Sequence, residues 1–159
     1  MPLNVAPLNK ASWQLHCNPK QALTLHYTVY AHDSSVRTAW LEASRGFFNP
    51  TSMCLEVVGD VPAPVLVQLT APDHADDWTV ATGARAHKVN TAGWGTYQFD
   101  SYDELADSPF EMGPLWRATF KAGGVDHQVA VAHPLPSFDG KRLVADMQTI
   151  CATQIAFWH

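Results

Sequence analysis

From residue 22 to residue 31 the chain reads ALTLHYTVYA, with Leu23, Leu25, Tyr27 and Val29 alternating with Thr24, His26, Thr28 and Tyr30. A period of two puts each set on one face of a strand; a helix instead repeats every three or four positions. Shorter runs rich in aliphatic, β-branched and aromatic residues follow at 13–17, 53–58, 65–69, 78–82, 95–99, 116–121 and 127–132. Turn chemistry separates them: Gly59-Asp60, Pro62 and Pro64, Pro72-Asp73, Gly93 and Gly123-Gly124. Many short strands at this spacing predict a mainly β chain with an antiparallel β-sandwich-like domain.

Helical signals are few. The segment YDELAD, residues 102–107, predicts a single turn ended by Pro109. After Pro136 the period changes. Asp139 is placed as an N-cap, and Leu143, Met147, Ile150, Gln154 and Phe157 recur at spacings of three and four. Val144, Cys151, Ile155 and Trp158 widen that stripe, so one long amphipathic helix is expected at the C-terminus. It reaches His159 without a Gly, a Pro or a basic last turn, and Phe157 and Trp158 need a covering surface. The expectation is a cut inside a larger protein, with a homodimer through this helix as one way to cover it.

Composition narrows the function classes. Hydrophobic residues are 47% and charged residues 16%, enough for a packed core. The net charge is −5 and the ten basic residues are scattered, so no nucleic-acid partner is expected. No apolar run approaches about eighteen residues, so no membrane span is expected. Cys17, Cys54 and Cys151 are far apart and form no CxxC, which reads as three reduced thiols. With no leader visible in the first residues, the reading leans to the cytoplasm.

A self-contained active site is hard to find. Histidines stand at 16, 26, 32, 74, 87, 127, 133 and 159, and no pair has the HExxH spacing that sets two imidazoles around zinc. Asp73-His74-Ala75-Asp76-Asp77 follows a Pro and reads as a solvated turn. His127 and His133 read as hydrogen-bonded strand residues. There is no GxSxG, P-loop or GxGxxG. Asp103-Glu104, and Asp107 with Glu111, are the carboxylate pairs; such residues beside a helical turn usually cap it or face water. Two stretches are more specified than generic core. Residues 29–57 join a strand to a long irregular excursion holding Arg37, Arg45 and Gly46-Phe47-Phe48-Asn49, and residues 101–113 read SYDELADSPFEMG.

On these stretches the sequence resembles the glycyl aminopeptidase family of zinc metallopeptidases, whose members often carry a C-terminal PDZ domain. The matching residues are Tyr30, Ser35, Val36 and Arg37, then Gly46 to Asn49 with Thr51 and Ser52. Gly95 to Tyr97 follow, then Tyr102 to Gly113, then a helix resembling RLVADMQTICATQI. The resemblance implies that residues 1–124 are an N-terminal β-sandwich domain lacking its first strands. Residues 125–159, a strand plus a helix, would then open a thermolysin-like catalytic domain. It implies zinc in the parent protein, held by an HExxH helix and a later Glu, none of which this sequence contains. The chain itself is therefore expected to have no catalytic residue and no metal ligand, and to be inert alone. Its implied partners are the catalytic domain of the same polypeptide and the free N-terminus of a peptide substrate. Glu104, Glu111 and Asp103 are candidates to meet that amino group, with Arg37, Phe48 and Asn49 on the same face. Two alternatives stay open. One is a free-standing module binding a protein or carbohydrate, for which Trp40, Trp94 and Trp116 are available. The other is a small carboxylate hydrolase built on Asp107 and Glu111.

Overall fold

The computed structural model describes residues 4–18, 20–59, 64–73 and 75–158. The expected turn residues Asp60 and Pro62, and the histidines His74 and His159, lie outside the described residues. The architecture is mainly β with antiparallel sheets and one long C-terminal helix, as the sequence predicts.

Strands β1 (Val5–Pro7) and β2 (Trp13–Leu15) form a small hairpin of their own. Strands β3 (Ala39–Leu41) and β4 (Gly46–Phe48) form a second hairpin. Then come β5 (Val65–Leu69), β6 (Thr79–Thr82), β7 (Ala86–Val89), β8 (Gly95–Phe99), helix α1 (Tyr102–Ala106) and β9 (Phe110–Gly113). A last hairpin joins β10 (Leu115–Ala122) to β11 (Val125–Ala132), and α2 (Gly140–Trp158) ends the chain.

Two sheets share one core. The first has the order β3-β4-β9-β6, the second β5-β8-β7. Phe48 and Phe110, on neighbouring strands of the first sheet, stack at 4.8 Å, and Tyr97 of the second sheet meets Phe110 edge-on at 5.1 Å. Phe99 and Phe110 are fully buried, and Trp78, Trp94, Leu105 and Met112 join the same cluster. Offset and edge-on aromatic pairs of this kind add to the free energy of burial.

The β10–β11 hairpin carries α2 on one face. Gly140 leaves room for the Trp116 indole, and Gly123, at φ +56°, leaves room for Ile155 at the other end of the helix. Gln148 Nε2 donates to the Lys121 carbonyl at 2.9 Å, tying the middle of α2 to β10. Asp139 caps the helix as expected, its Oδ1 accepting from the Arg142 amide at 3.0 Å. No residue of α2 is buried among those described, and Phe157 and Trp158 remain three-quarters exposed.

Four sequence expectations need correction. The alternating segment 22–31 forms no strand. Only its end is reached by a neighbour: the Leu41 amide donates to the Ala31 carbonyl at 3.0 Å, and His32 bridges to Trp40. A strand exists only where another lies alongside, and β3 turns away at Leu41. Residues 53–58 form no strand either, because the preceding 3₁₀ turn Pro50–Ser52 draws the Cys54 amide back to the Pro50 carbonyl at 2.7 Å. The excursion after Arg37 is not irregular, since it holds the β3–β4 hairpin. His133 is not in a strand but follows β11, at φ 49°.

Candidate functional site

The most specified polar arrangement lies where the β3–β4 turn meets β9. The turn is closed by the Glu42 amide donating to the Arg45 carbonyl at 2.9 Å, while the Ser44 hydroxyl donates to Glu42 Oε1 at 3.1 Å. Strand β4 then sets Phe47 opposite Glu111 of β9. Arg45, just ahead of β4, reaches across. Its Nε donates to Glu111 Oε1 at 2.7 Å and its Nη2 to Oε2 at 2.9 Å.

This is a two-point fork on a carboxylate, which fixes orientation as well as charge. Both side chains are mostly covered, at 28% and 21% exposure, so water screens the pair only in part. The hydrogen bond to Glu111 raises Arg45 above the usual arginine value, against the opposing effect of its partial burial. The guanidinium also lies 5.8 Å from the centre of the Phe47 ring.

Gly113 explains how the turn comes so close. It sits at φ +148°, and a Cβ there would stand 3.1 Å from the Ser44 carbonyl oxygen. The spacing Glu111-x-Gly113 is thus one device: the carboxylate receives the arginine while the glycine admits the residue before it. The same Ser44 carbonyl lies 3.2 Å from His133 Nε2, so the turn is held from the β11 side too. His133 is the one non-glycine residue at positive φ among those described, a strained backbone stabilised by its surroundings.

The other expected site residues are dispersed. Glu104 accepts from the Asp100 amide at 2.6 Å while its own amide donates to Ser101 Oγ at 3.1 Å, a capping arrangement for α1. Asp103 is exposed in the first turn of α1, and Asp107 is its C-cap. Phe48 is core. Asn49 caps the 3₁₀ turn, its Oδ1 accepting from the Thr51 amide and hydroxyl. The side chain of Arg37 is exposed, in the turn before β3. The structure therefore pairs Glu111 with a residue, Arg45, that was not singled out as a site residue. The three tryptophans do not share a face. Trp94 is buried, with its indole N–H on the Trp78 carbonyl at 3.3 Å; Trp116 packs edge-on to Phe138; Trp40 stacks on His32 at 4.5 Å.

An open groove of about 750 Å³ runs between β6 and the β10–β11 hairpin. Arg117 spans it, donating to the Val80 carbonyl at 2.7 Å and to Thr79 Oγ1 at 3.2 Å. Among the described residues no cluster of three His, Cys, Asp or Glu side chains could hold a metal ion. Nor is any described helix long and apolar enough to cross a membrane.

Comparison with known proteins supplies a frame for this geometry. Residues 1–114 match the family described as the Peptidase M61 N-terminal domain. The match therefore includes the Arg45–Glu111 unit and stops just before β10. The fold also matches a solved structure described as an aminopeptidase N family protein from Idiomarina loihiensis, with a TM-score of 0.88 at 41% identity. That match covers 97% of this chain and 26% of the other, so the chain spans about a quarter of the matched protein's length. No curated protein matches.

Proposed function

The chain belongs to the Peptidase M61 N-terminal domain family, and from that premise we propose that it serves as the non-catalytic β domain of a zinc-dependent aminopeptidase of the glycyl aminopeptidase type. In this reading the domain packs beside the substrate cleft and shapes it, and a PDZ domain further along the polypeptide accords with the same resemblance. The zinc does not fit the residues of this chain. They contain no HExxH, and the described ones bring no ligand set together. The metal, and the general base beside it, are therefore assigned to the catalytic domain of the same polypeptide.

We place the junction at Pro114, where the family match ends, rather than after Gly124, because β10 and β11 pair along their whole length and a boundary after Gly124 would divide that hairpin. In that division β10, β11 and α2 open the catalytic domain. The exposed Phe157 and Trp158 then pack on its remainder, and a homodimer through α2 is the competing arrangement. A light-scattering mass of the longer protein separates the two.

The observation that carries the reading is the Arg45–Glu111 fork at the turn that His133 holds from the far side. Glu111 is already satisfied by Arg45, which favours a role in fixing this face over direct capture of a substrate's amino group. Glu104 is likewise committed to its helix cap. We expect Glu111→Gln in the full-length enzyme to leave KM for a peptide within about twofold while lowering stability. Loss of one charge-assisted fork costs about 1–2 kcal/mol. A tenfold or larger rise in KM with unchanged stability would instead make Glu111 a substrate contact. If the longer protein shows no aminopeptidase activity and binds no zinc, the reading fails at its root.

A further inference from the structure

The segment 22–30 has the clearest strand pattern in the sequence and none of the bonds of a strand. Among the described residues, none of these nine amides or carbonyls makes a backbone-to-backbone hydrogen bond. The segment nevertheless runs without a turn or bend. It is anchored by side chains in its second half. Tyr27 Oη donates to the Met53 carbonyl at 2.6 Å, and Val29 lines an apolar cavity of about 240 Å³ with Trp78 and Met112. Leu23 and Leu25 stay more than two-fifths exposed on the same side.

Beside it, residues 55–58 repeat the situation, with no backbone-to-backbone hydrogen bond among the described residues, once the Met53 and Cys54 amides have turned back to the Pro50 carbonyl. Their strand-like sequence forms no ladder, the Cys54 carbonyl is taken by Tyr102 Oη at 2.9 Å, and Leu55 and Val57 are exposed. Two strand-patterned segments linked through Tyr27 thus present bare backbone and apolar side chains together. Bare backbone with alternating apolar residues is a template for another strand.

We propose that the segment 22–30 is an acceptor edge for an added β-strand, supplied by the part of the polypeptide outside these 159 residues. The occupant is an extended segment with alternating apolar residues, whose apolar face covers Leu23, Leu25 and Tyr27. Two observations choose this source. The ladder to β3 already begins at Ala31 and His32, so the added strand continues an existing sheet rather than starting one. The matched structure is about four times as long as the aligned chain, which leaves ample polypeptide to supply it. The inference rests on the chain being one segment of a longer protein, and not on that protein's chemistry. A parent without peptidase activity would leave it standing.

Amide hydrogen exchange of the full-length protein, followed by mass spectrometry, tests it. The amides of 22–30 are expected to exchange about a hundredfold more slowly than those of the β1–β2 turn at residues 8–12, approaching the protection of β5. Exchange as fast as in that turn overturns the proposal. So does protection that appears only at concentrations where the mass doubles, because the occupant would then be a second copy.

Discussion

Two segments of this chain carry the same pattern and meet different fates. Val65–Leu69 alternates and lies in full antiparallel register with β8, Val65 opposite Phe99 and Leu69 opposite Gly95. Its alternate residues Val65, Val67 and Leu69 pack against the buried cluster. Residues 22–30 alternate more regularly, over a longer run, and carry no ladder. Periodicity therefore specifies which side chains share a face, while hydrogen bonding requires a second strand within reach. Among the described residues, every buried apolar one except Ala122 falls between Ala39 and Met112, so those described ahead of Ala39 contribute none of the core proper.

The comparison breaks most visibly on deletion of side chains. Phe99 is fully buried opposite β5, and Phe99→Ala is expected to cost about 3–5 kcal/mol. Leu25 is 44% exposed, and Leu25→Ala in this chain is expected to cost under about 1 kcal/mol. Urea unfolding of both variants checks the pair. Equal losses would mean that the segment is packed in solution despite its bare backbone.

Backbone donors give a second test, somewhat smaller in effect. Val67→Pro, in the β5–β8 ladder, is expected to cost about 3 kcal/mol or more. Thr24→Pro removes an amide that bonds no backbone group, and is expected to stay within about 0.5 kcal/mol in this chain. In the longer protein that difference should shrink as 22–30 gains its partner. A Thr24→Pro cost in the 159-residue chain as large as that of Val67→Pro would place a ladder where none is seen.

The same contrast shows how much was legible beforehand. Strands 65–69 and 95–99, the two-glycine turn at Gly123-Gly124 and the Asp139 cap were readable because each leaves a signal in residues adjacent in sequence, even where, as for the two strands, the pairing partner is distant. The β3–β4 hairpin was not readable, since three-residue strands are too short to show a period. Arg45 was overlooked as a partner for a plainer reason. Its carboxylate is sixty-six residues away, and no local pattern announces such a contact. The motif Glu111-x-Gly113 did carry part of the signal, because a glycine two residues after a strand carboxylate marks a close backbone approach. Phe48 and Asn49 looked like site residues for their place in a motif, yet one fills the core and the other caps a turn.

Tyrosines offer the finest discrimination between the two regions. Tyr97 is buried in the core with its hydroxyl on the Gly93 carbonyl at 2.6 Å. Burial raises it above the usual tyrosine value, and Arg117 offsets this in part. Tyr27, on the bare segment, is raised chiefly by desolvation at its tip, with Cys54 adding to it, although its side chain is 54% exposed. A raised pKa in the folded state means that stability is complete below the unfolded value of about 10 and is lost as pH rises through the folded value. Stability should therefore fall between pH 10 and higher pH, and the fall should be shallower in Tyr97→Phe than in Tyr27→Phe. Both changes also delete a hydrogen bond, so the slope with pH is the readout and not the absolute stability. A slope more sensitive to Tyr27 would move the better-shielded hydroxyl onto the segment 22–30. That result would mean the bare segment is covered in solution even before a further strand joins it.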